Sequence, residues 1–148
     1  MLLPNSGLMH VTDGILAGNR TLPLSVISYN MHGFNQGSHS VRDLALSSEP
    51  GVFLLQEHWL TPANLSKFDD NFPTYQCFGS SAMASCVETG VLYGRPFGGV
   101  AILVRNHLRN FCQLVCADER FIIVTIGNLI MCECLFALCG YCRQIVRC

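Results

Sequence analysis

The sequence predicts an α/β fold, and the order of its apolar runs indicates it. Leu22–Tyr29 and Val52–Gln56 are apolar and β-prone, and the stretch between them is long enough for one helix. A strand, a helix and a second strand over this length predict a βαβ crossover, whose strands run parallel. Further along, Phe121–Ile126 and Leu129–Phe136 flank Gly127-Asn128, a dipeptide typical of a two-residue hairpin turn. At 148 residues the chain is most simply one domain.

The first elements follow from local signals. Residues 1–21 are polar, contain glycine and show no periodicity, which predicts a loose leader. In the strand that follows, Pro23 is tolerated because it stands near the first residue. Ser40–Ser48 predicts a short helix, in which a serine caps the start and apolar residues share one face.

Further signals place the elements after this helix. Glu49-Pro50-Gly51 predicts its end, and the next run, Val52–Gln56, predicts a strand buried on both faces. Thr61-Pro62 predicts the cap and the first position of another short helix. Tyr75–Phe78 and Val100–Val104 predict further strands, joined by a long connection rich in glycine and serine.

Composition bounds the function only loosely. Half of the residues are hydrophobic and 13% are charged, which excludes disorder. The net charge of -1 provides no global basic field that would attract nucleic acid. No basic start with an apolar run follows Met1, so we expect no signal peptide and an intracellular protein, nuclear or cytoplasmic. Reduced thiols are then the default for the nine cysteines.

The strongest indication of chemistry is a pair of strand ends. Asn30 ends the first predicted strand, and Glu57 follows the second. Because parallel strands place their carboxyl ends together, both side chains should lie at one edge of the sheet. Their oxygens suit Mg²⁺, which takes one or two protein carboxylates. From spacing alone the favoured interpretation is structural: Asn30 satisfies a turn, and Glu57 marks where a strand meets water.

Three ordered blocks resemble a known family. Ser28–Gly33, Leu55–Leu60 and Phe97–Leu103 resemble the endonuclease/exonuclease/phosphatase family, and they are most similar to the endonuclease domains of non-LTR (LINE-like) retrotransposons. Order and spacing match as well as residues. Asp118–Phe121 and the apolar hairpin continue the likeness to about Cys132.

The resemblance implies a two-sheet α/β sandwich, here incomplete, that cleaves phosphodiester bonds of DNA with Mg²⁺. Glu57 corresponds to the metal-binding glutamate, and Asn30 to a catalytic asparagine that orders the site and the phosphate. His58 and Trp59 belong to the setting of the motif rather than to its chemistry. Gly98-Gly99 lets the backbone turn tightly before a buried strand.

The chain also departs from the family pattern. Members carry a tyrosine after the hairpin, an Asp-x-Asn pair and a closing Asp-His pair. Here Glu133–Cys139 contains no tyrosine, no aspartate follows Asp118 and no histidine follows His107. We therefore divide the chain into a leader (1–21), the N-terminal part of the family domain (22–132) and a divergent cysteine-rich tail (133–148).

The tail permits other interpretations. Cys139-Gly140-Tyr141-Cys142 is a CxxC that could bind zinc, although an isolated pair is a weak signal. Phe121–Cys142 is long enough to span a membrane, but Gly127-Asn128 and Glu133 oppose this, so we expect no membrane partner. The favoured interpretation is that the two apolar runs around Gly127-Asn128 form a buried hairpin that lacks its partner strands.

The sequence thus predicts a truncated Mg²⁺-dependent DNA endonuclease domain of retrotransposon type, inactive alone because the later blocks are absent. Whether the chain is an enzyme at all stays open at this point. One alternative is a non-catalytic remnant or binding module with the same partial fold. Another is a cysteine-rich metal-binding or membrane-tethered protein.

Overall fold

A computed structural model describes residues 6–17, 20–90, 94–134 and 145–147. Nine strands and three α-helices make up the described part of the chain. The elements are β1 (Ser6–Ala17), β2 (Arg20–Asn30), α1 (Phe34–Ser48), β3 (Val52–Gln56), α2 (Lys67–Asn71), β4 (Tyr75–Ser80), α3 (Ala84–Glu88), β5 (Val100–Arg105), β6 (Cys112–Ala117), β7 (Phe121–Ile126), β8 (Leu129–Cys134) and β9 (Ile145–Arg147). Two 3-10 helices, Pro62–Asn64 and Asn106–Phe111, connect some of them.

The first sheet has five strands in the order β1-β2-β3-β5-β4. β2 and β3 pair in parallel, with Val26 opposite Val52 and Asn30 opposite Gln56, whereas the other pairs are antiparallel. Because α1 connects the two parallel strands, this part of the sheet is a βαβ unit. The predicted crossover is confirmed.

The second sheet has four antiparallel strands in the order β6-β7-β8-β9. Gly127, at φ 59°, and Asn128 form the turn between β7 and β8, which confirms the predicted hairpin. The expectation that this hairpin lacks partner strands is wrong, because β6 pairs with β7 and β9 pairs with β8. The end of the predicted strand, residues 135 and 136, lies outside the described residues.

The two faces of the first sheet pack against different layers. Along β3, Val52 and Leu54 face the second sheet, and Phe53 and Leu55 face the helices. This alternation follows from the two-residue period of a strand, and because both faces are buried, β3 is apolar from Val52 to Leu55. The result is an α/β arrangement of helices, sheet and second sheet, consistent with the partial two-sheet sandwich that the sequence predicts.

Two predicted segments differ from the structure. Most of the predicted loose leader, residues 6–17, forms the edge strand β1, so that part of the prediction is wrong. β1 is held by backbone hydrogen bonds to β2, and any residue except proline can donate and accept these, so this segment pairs without an apolar periodicity. The predicted helix at Ser40–Ser48 is present but begins six residues earlier, at Phe34. Glu49, in the left-handed conformation at φ 44°, ends it as expected.

The early start of α1 has a packing reason. Gly37 lies so close to Met31 that an added Cβ would be 2.5 Å from the Met31 Cβ and 2.7 Å from its carbonyl oxygen. Glycine lowers helix propensity by about 1 kcal/mol, and for that reason the first turns of α1 are not predicted from the sequence. Close approach of α1 to the end of β2 offsets this loss.

Replacing Gly37 with alanine therefore reverses the usual helix rule. In an open helix the change stabilises by about 1 kcal/mol, but here we expect a loss of about 1–3 kcal/mol because backbone atoms must move. Urea unfolding followed by circular dichroism measures it. Ser47→Ala, on the exposed face of the same helix, is the matched control and should stabilise slightly. A Gly37→Ala protein more stable than wild type would contradict this packing.

Candidate active site

The structure places both predicted site residues at one edge of the first sheet. Asn30 is the last residue of β2, and Glu57 directly follows β3. Beyond the paired strands, the Met31 amide donates to the Gln56 carbonyl at 2.8 Å, and the Gly33 amide donates to the Glu57 carbonyl at 2.8 Å. The two loops that leave the strands are thus hydrogen-bonded to each other, and the expected juxtaposition is present.

Two donors hold the half-buried Glu57 carboxylate in place. Its Oε2 accepts a hydrogen bond from the Trp59 indole Nε1 at 2.9 Å and another from the Gly98 amide at 3.2 Å. The Trp59 amide in turn donates to the Gly98 carbonyl at 2.8 Å. The second and third blocks of the sequence therefore meet at this carboxylate. Both bonds end on Oε2, and no described residue donates to Oε1.

The backbone of this loop adopts an uncommon conformation. Glu57 and Trp59 have φ of 55° and 57°, in the left-handed region that non-glycine residues rarely adopt. Such residues cost on the order of 1 kcal/mol each and persist where surrounding bonds fix them. Here the bonds to Gly33 and Gly98 supply that constraint, so the loop is held in one arrangement.

Asn30 forms a local turn in the structure. Its half-buried side-chain Oδ1 accepts a hydrogen bond from the His32 amide at 3.1 Å. His32 is exposed and has φ of 48°, which the turn accommodates. The turn and a phosphate-binding role are compatible because the side-chain amide also carries donors. The catalytic role of Asn30 and the metal-binding role of Glu57 stay predictions.

His58, the residue after Glu57, lies in a different environment. Its side chain is fully buried, and its ring packs edge-on against Phe68, with centroids 5.4 Å apart. Nδ1 accepts a hydrogen bond from the Leu60 amide at 3.0 Å, so Nε2 carries the proton and donates to the Ser80 carbonyl at 3.0 Å. Burial lowers the pKa of His58 to about 4, and the imidazole is neutral at pH 7.

His58 is therefore a structural residue of the site. It connects the end of β3 to the end of β4 through its two ring nitrogens. A role in the setting of the motif agrees with the sequence prediction, although the residue lies in the core rather than at the rim of the sheet.

The Gly98-Gly99 pair is required by geometry. The two residues have φ of 64° and 90°, both in the region that favours glycine. A Cβ on Gly99 would also collide with the His58 ring. This agrees with the predicted tight turn before the buried strand β5.

One buried polar connection was missed by sequence reasoning. Gln56 Nε2 donates to Glu133 Oε1 at 2.7 Å and to the Ser28 hydroxyl at 3.0 Å. Glu133 is 1% exposed and belongs to β8, so this network ties the second sheet to the first directly beneath the site. An acid within an otherwise apolar strand was the available signal. β8 also runs across the predicted boundary between residues 132 and 133.

The described residues offer little support for the zinc and membrane-span hypotheses. Within those ranges no group of three or more histidine, cysteine or acidic residues could hold a metal. The CxxC at Cys139–Cys142 lies outside them. Phe121–Cys134 forms two strands, and among the described residues no helix is long and apolar enough to cross a membrane.

The Thr61-Pro62 prediction is partly confirmed. Pro62 begins a 3-10 helix, and α2 follows, so two short helices replace the one expected. The Thr61 side chain does not cap the backbone; its hydroxyl accepts from Asn64 Nδ2 at 2.8 Å. This segment matters for the site because it follows Trp59 directly.

One known family matches most of this chain. The model of the Endonuclease/Exonuclease/phosphatase family matches residues 27–139. A comparison with curated protein sequences found no match.

Two solved structures share the fold. The chain is similar to the Neisseria 3' phosphatase NExo bound to a product DNA hairpin, with 16% identity and a TM-score of 0.54 over 75% of this chain. It is also similar to the 3'-5' exonuclease NExo from Neisseria meningitidis, with 17% identity and a TM-score of 0.51 over 74% of this chain. In each case the match spans 40% of the solved chain.

The burial of His58 predicts a pH dependence of stability. Its pKa is about 4 in the folded chain and 6.5 when exposed. Between these two pH values His58 is therefore mostly protonated in the unfolded chain and mostly neutral in the folded chain. This stabilisation is complete above pH 6.5 and is lost as the pH falls towards 4, by about 3 kcal/mol in all. The midpoint of urea unfolding should therefore decrease for wild type as the pH is lowered from 6.5 to 4.

The decrease should be smaller for His58→Gln, while the exposed control His39→Gln should show the same decrease as wild type. Equal slopes in all three proteins would contradict the assignment.

The contact between Gly99 and His58 predicts a difference between two glycines. Gly90 also has a positive φ, 69°, but nothing lies within 4 Å of an added Cβ. Gly90→Ala should cost about 1 kcal/mol, the conformational term alone. Gly99→Ala should cost about 3 kcal/mol or more, because the clash adds to that term. Thermal or urea unfolding measures both, and equal losses would contradict the packing of His58 on Gly99.

Proposed function

Because the chain belongs to the endonuclease/exonuclease/phosphatase family, we propose that it is part of a metal-dependent DNA endonuclease domain that hydrolyses phosphodiester bonds. The observation that carries this proposal is the Glu57 carboxylate, fixed at the edge where two parallel strands end, with Asn30 at the end of the neighbouring strand. Ligand sites of α/β proteins form at this edge. The matched fold and the three sequence blocks that converge at Glu57 support it.

The oxygen atoms that could act as metal ligands at this edge suit Mg²⁺. Glu57 offers a half-buried carboxylate whose Oε1 receives no hydrogen bond within the described part of the chain, and Asn30 offers a side-chain oxygen. Mg²⁺ prefers such hard oxygen ligands and retains several waters, so a site with one carboxylate is sufficient. A bound Mg²⁺ would supply charge neutralisation for the phosphate under attack.

The residues of the chain have separate tasks in this proposal. Glu57 holds the metal, and the bonds from Trp59 and Gly98 fix the direction of its carboxylate. The Asn30 amide orients a phosphate oxygen of the DNA backbone through a donated hydrogen bond. His58 moves no proton at pH 7, because its Nε2 proton is held by the Ser80 carbonyl in the core.

The retrotransposon type is a finer proposal. It is supported by the residues at Gln56–Leu60 and Gly98–Ala101. Phosphatases of the same family share the asparagine and glutamate blocks, but these two motifs are more similar to those of the retrotransposon group. The substrate would then be the phosphodiester backbone of DNA inside the cell.

We further propose that this chain by itself is inactive in DNA hydrolysis, because the later blocks of the family pattern are absent from it. Its sequence has no aspartate after Asp118 and no histidine after His107, where the resemblance places the general base and its partners. General base catalysis contributes typically about 10²–10⁴-fold in rate.

A non-catalytic binding module is the second candidate function. It is favoured because the fold and core are well formed around Glu57 in the described residues.

Metal binding at Glu57 can be measured without activity. Mn²⁺, a paramagnetic substitute for Mg²⁺, should bind the purified protein with a single Glu57-dependent site in electron paramagnetic resonance titrations. Glu57→Gln should weaken it by at least about tenfold, because the anionic ligand is lost while the hydrogen-bonding shape is kept. Glu88→Gln, the same change at an exposed position of α3, should bind as wild type does. Equal Mn²⁺ affinity in all three proteins would refute the site.

A plasmid-nicking assay with Mg²⁺ tests the rate proposal on the same proteins. Wild type should nick supercoiled DNA no faster than Glu57→Gln. Nicking by wild type that disappears in Glu57→Gln would show an active enzyme and would overturn the proposal that the chain is inactive alone.

A further inference from the structure

An open cleft of about 380 Å³ lies beside the candidate metal residues. Its lining includes Trp59, residues at the start of α1, and Thr61, Asn64 and Lys67 from the segment that follows β3. Neither Asn30 nor Glu57 lines the cleft, so it is a separate space that shares Trp59 with the metal carboxylate. Its volume falls within the range of small-molecule binding sites.

The ring of Trp59 is exposed and yet fixed. Its side chain is 39% exposed, although indole is a large apolar group. The Nε1 proton is bonded to Glu57 Oε2, and Gly33 lies so close that an added Cβ would be 2.6 Å from the ring Cε3. A ring held in this way loses little conformational entropy when a flat ligand stacks on it.

Besides apolar residues, the cleft carries polar side chains suited to a nucleotide. Asn35, Gln36 and Asn64 carry amides, which can both donate to and accept from the edge of a base. Lys67 supplies a positive charge in the lining of the cleft, and in the described part of the chain no carboxylate forms an ion pair with it. An aromatic face for stacking and a positive charge near the phosphates are two elements by which proteins bind single-stranded nucleic acid.

We propose that Trp59 is a stacking platform for one unpaired base of a DNA strand whose neighbouring phosphate reaches the metal at Glu57. The proposal rests on the proposed function, because it places the base beside that metal. An unpaired base is required, since the faces of a paired base within a duplex are covered by its neighbours. Because every base has a π face, the site should discriminate little among the four bases.

The chain provides its own reporter, because Trp59 is its only tryptophan. Titration with a single-stranded oligonucleotide of mixed sequence should quench the Trp59 fluorescence. A duplex of the same sequence, and an abasic strand with the same number of phosphates, should quench it much less. The titrations are made in EDTA so that no metal contributes. Equal quenching by the abasic strand would overturn the proposal, because phosphate contact alone would then explain binding.

Variants test the ring itself through the anisotropy of a labelled oligonucleotide. Trp59→Leu should weaken single-strand binding by about fivefold or more, the loss expected for one stacked base, and Trp59→Phe should retain most of it. Phe111→Leu removes an aromatic ring of similar exposure, 40%, away from the cleft and should have no effect. Circular dichroism checks that each protein folds. If Trp59→Leu does not fold, a Trp59→Phe protein that binds single and abasic strands equally would refute the platform.

The two proposals fail in distinguishable ways. Loss of Mn²⁺ binding in Glu57→Gln without base-dependent quenching in wild type would leave the metal site standing and refute the stacking platform. Base-dependent quenching in a protein whose Mn²⁺ binding does not depend on Glu57 would refute the metal site, and with it the placement of the base beside a metal.

Discussion

β2 and β3 run parallel, with Asn30 opposite Gln56, and this register is the constraint on which the candidate site depends. It brings two loops to the same edge and lets their backbones bond to each other, from Met31 to Gln56 and from Gly33 to Glu57. A shift of one residue would turn every side chain of β3 to the opposite face. The core on both sides of β3 excludes such a shift, because apolar residues on each face are matched to a different layer.

A buried, neutral histidine supports the loop after β3. His58 fills the space left by Gly99 and accepts the Leu60 amide, so the chain on both sides of Glu57 is anchored in the core. This anchoring explains how Glu57 and Trp59 hold left-handed conformations that cost free energy. Beneath them, the bond between Gln56 and Glu133 joins the two sheets. The carboxylate is therefore positioned by packing as well as by its own hydrogen bonds.

Trp59 links the two proposed activities. Its indole proton orients the carboxylate that would hold the metal, while its ring forms a wall of the neighbouring cleft. One side chain would thus set the distance between a stacked base and the phosphate next to it. Such a shared element gives geometric precision, because a small displacement of reacting groups lowers rates severely.

The sequence by itself determined the βαβ unit, the hairpin at Gly127-Asn128, the family and the placement of Asn30 and Glu57 at one edge of the sheet. These follow from local periodicity, turn chemistry and the fixed geometry of parallel strands, which a single chain displays. Only the tertiary structure decided that His58 is buried and neutral, that α1 begins at Phe34, that residues 6–17 pair as an edge strand and that Glu133 reaches Gln56. Each of these depends on contacts between residues far apart in the sequence, where desolvation, close packing or a shared hydrogen bond outweighs the local preference of the chain.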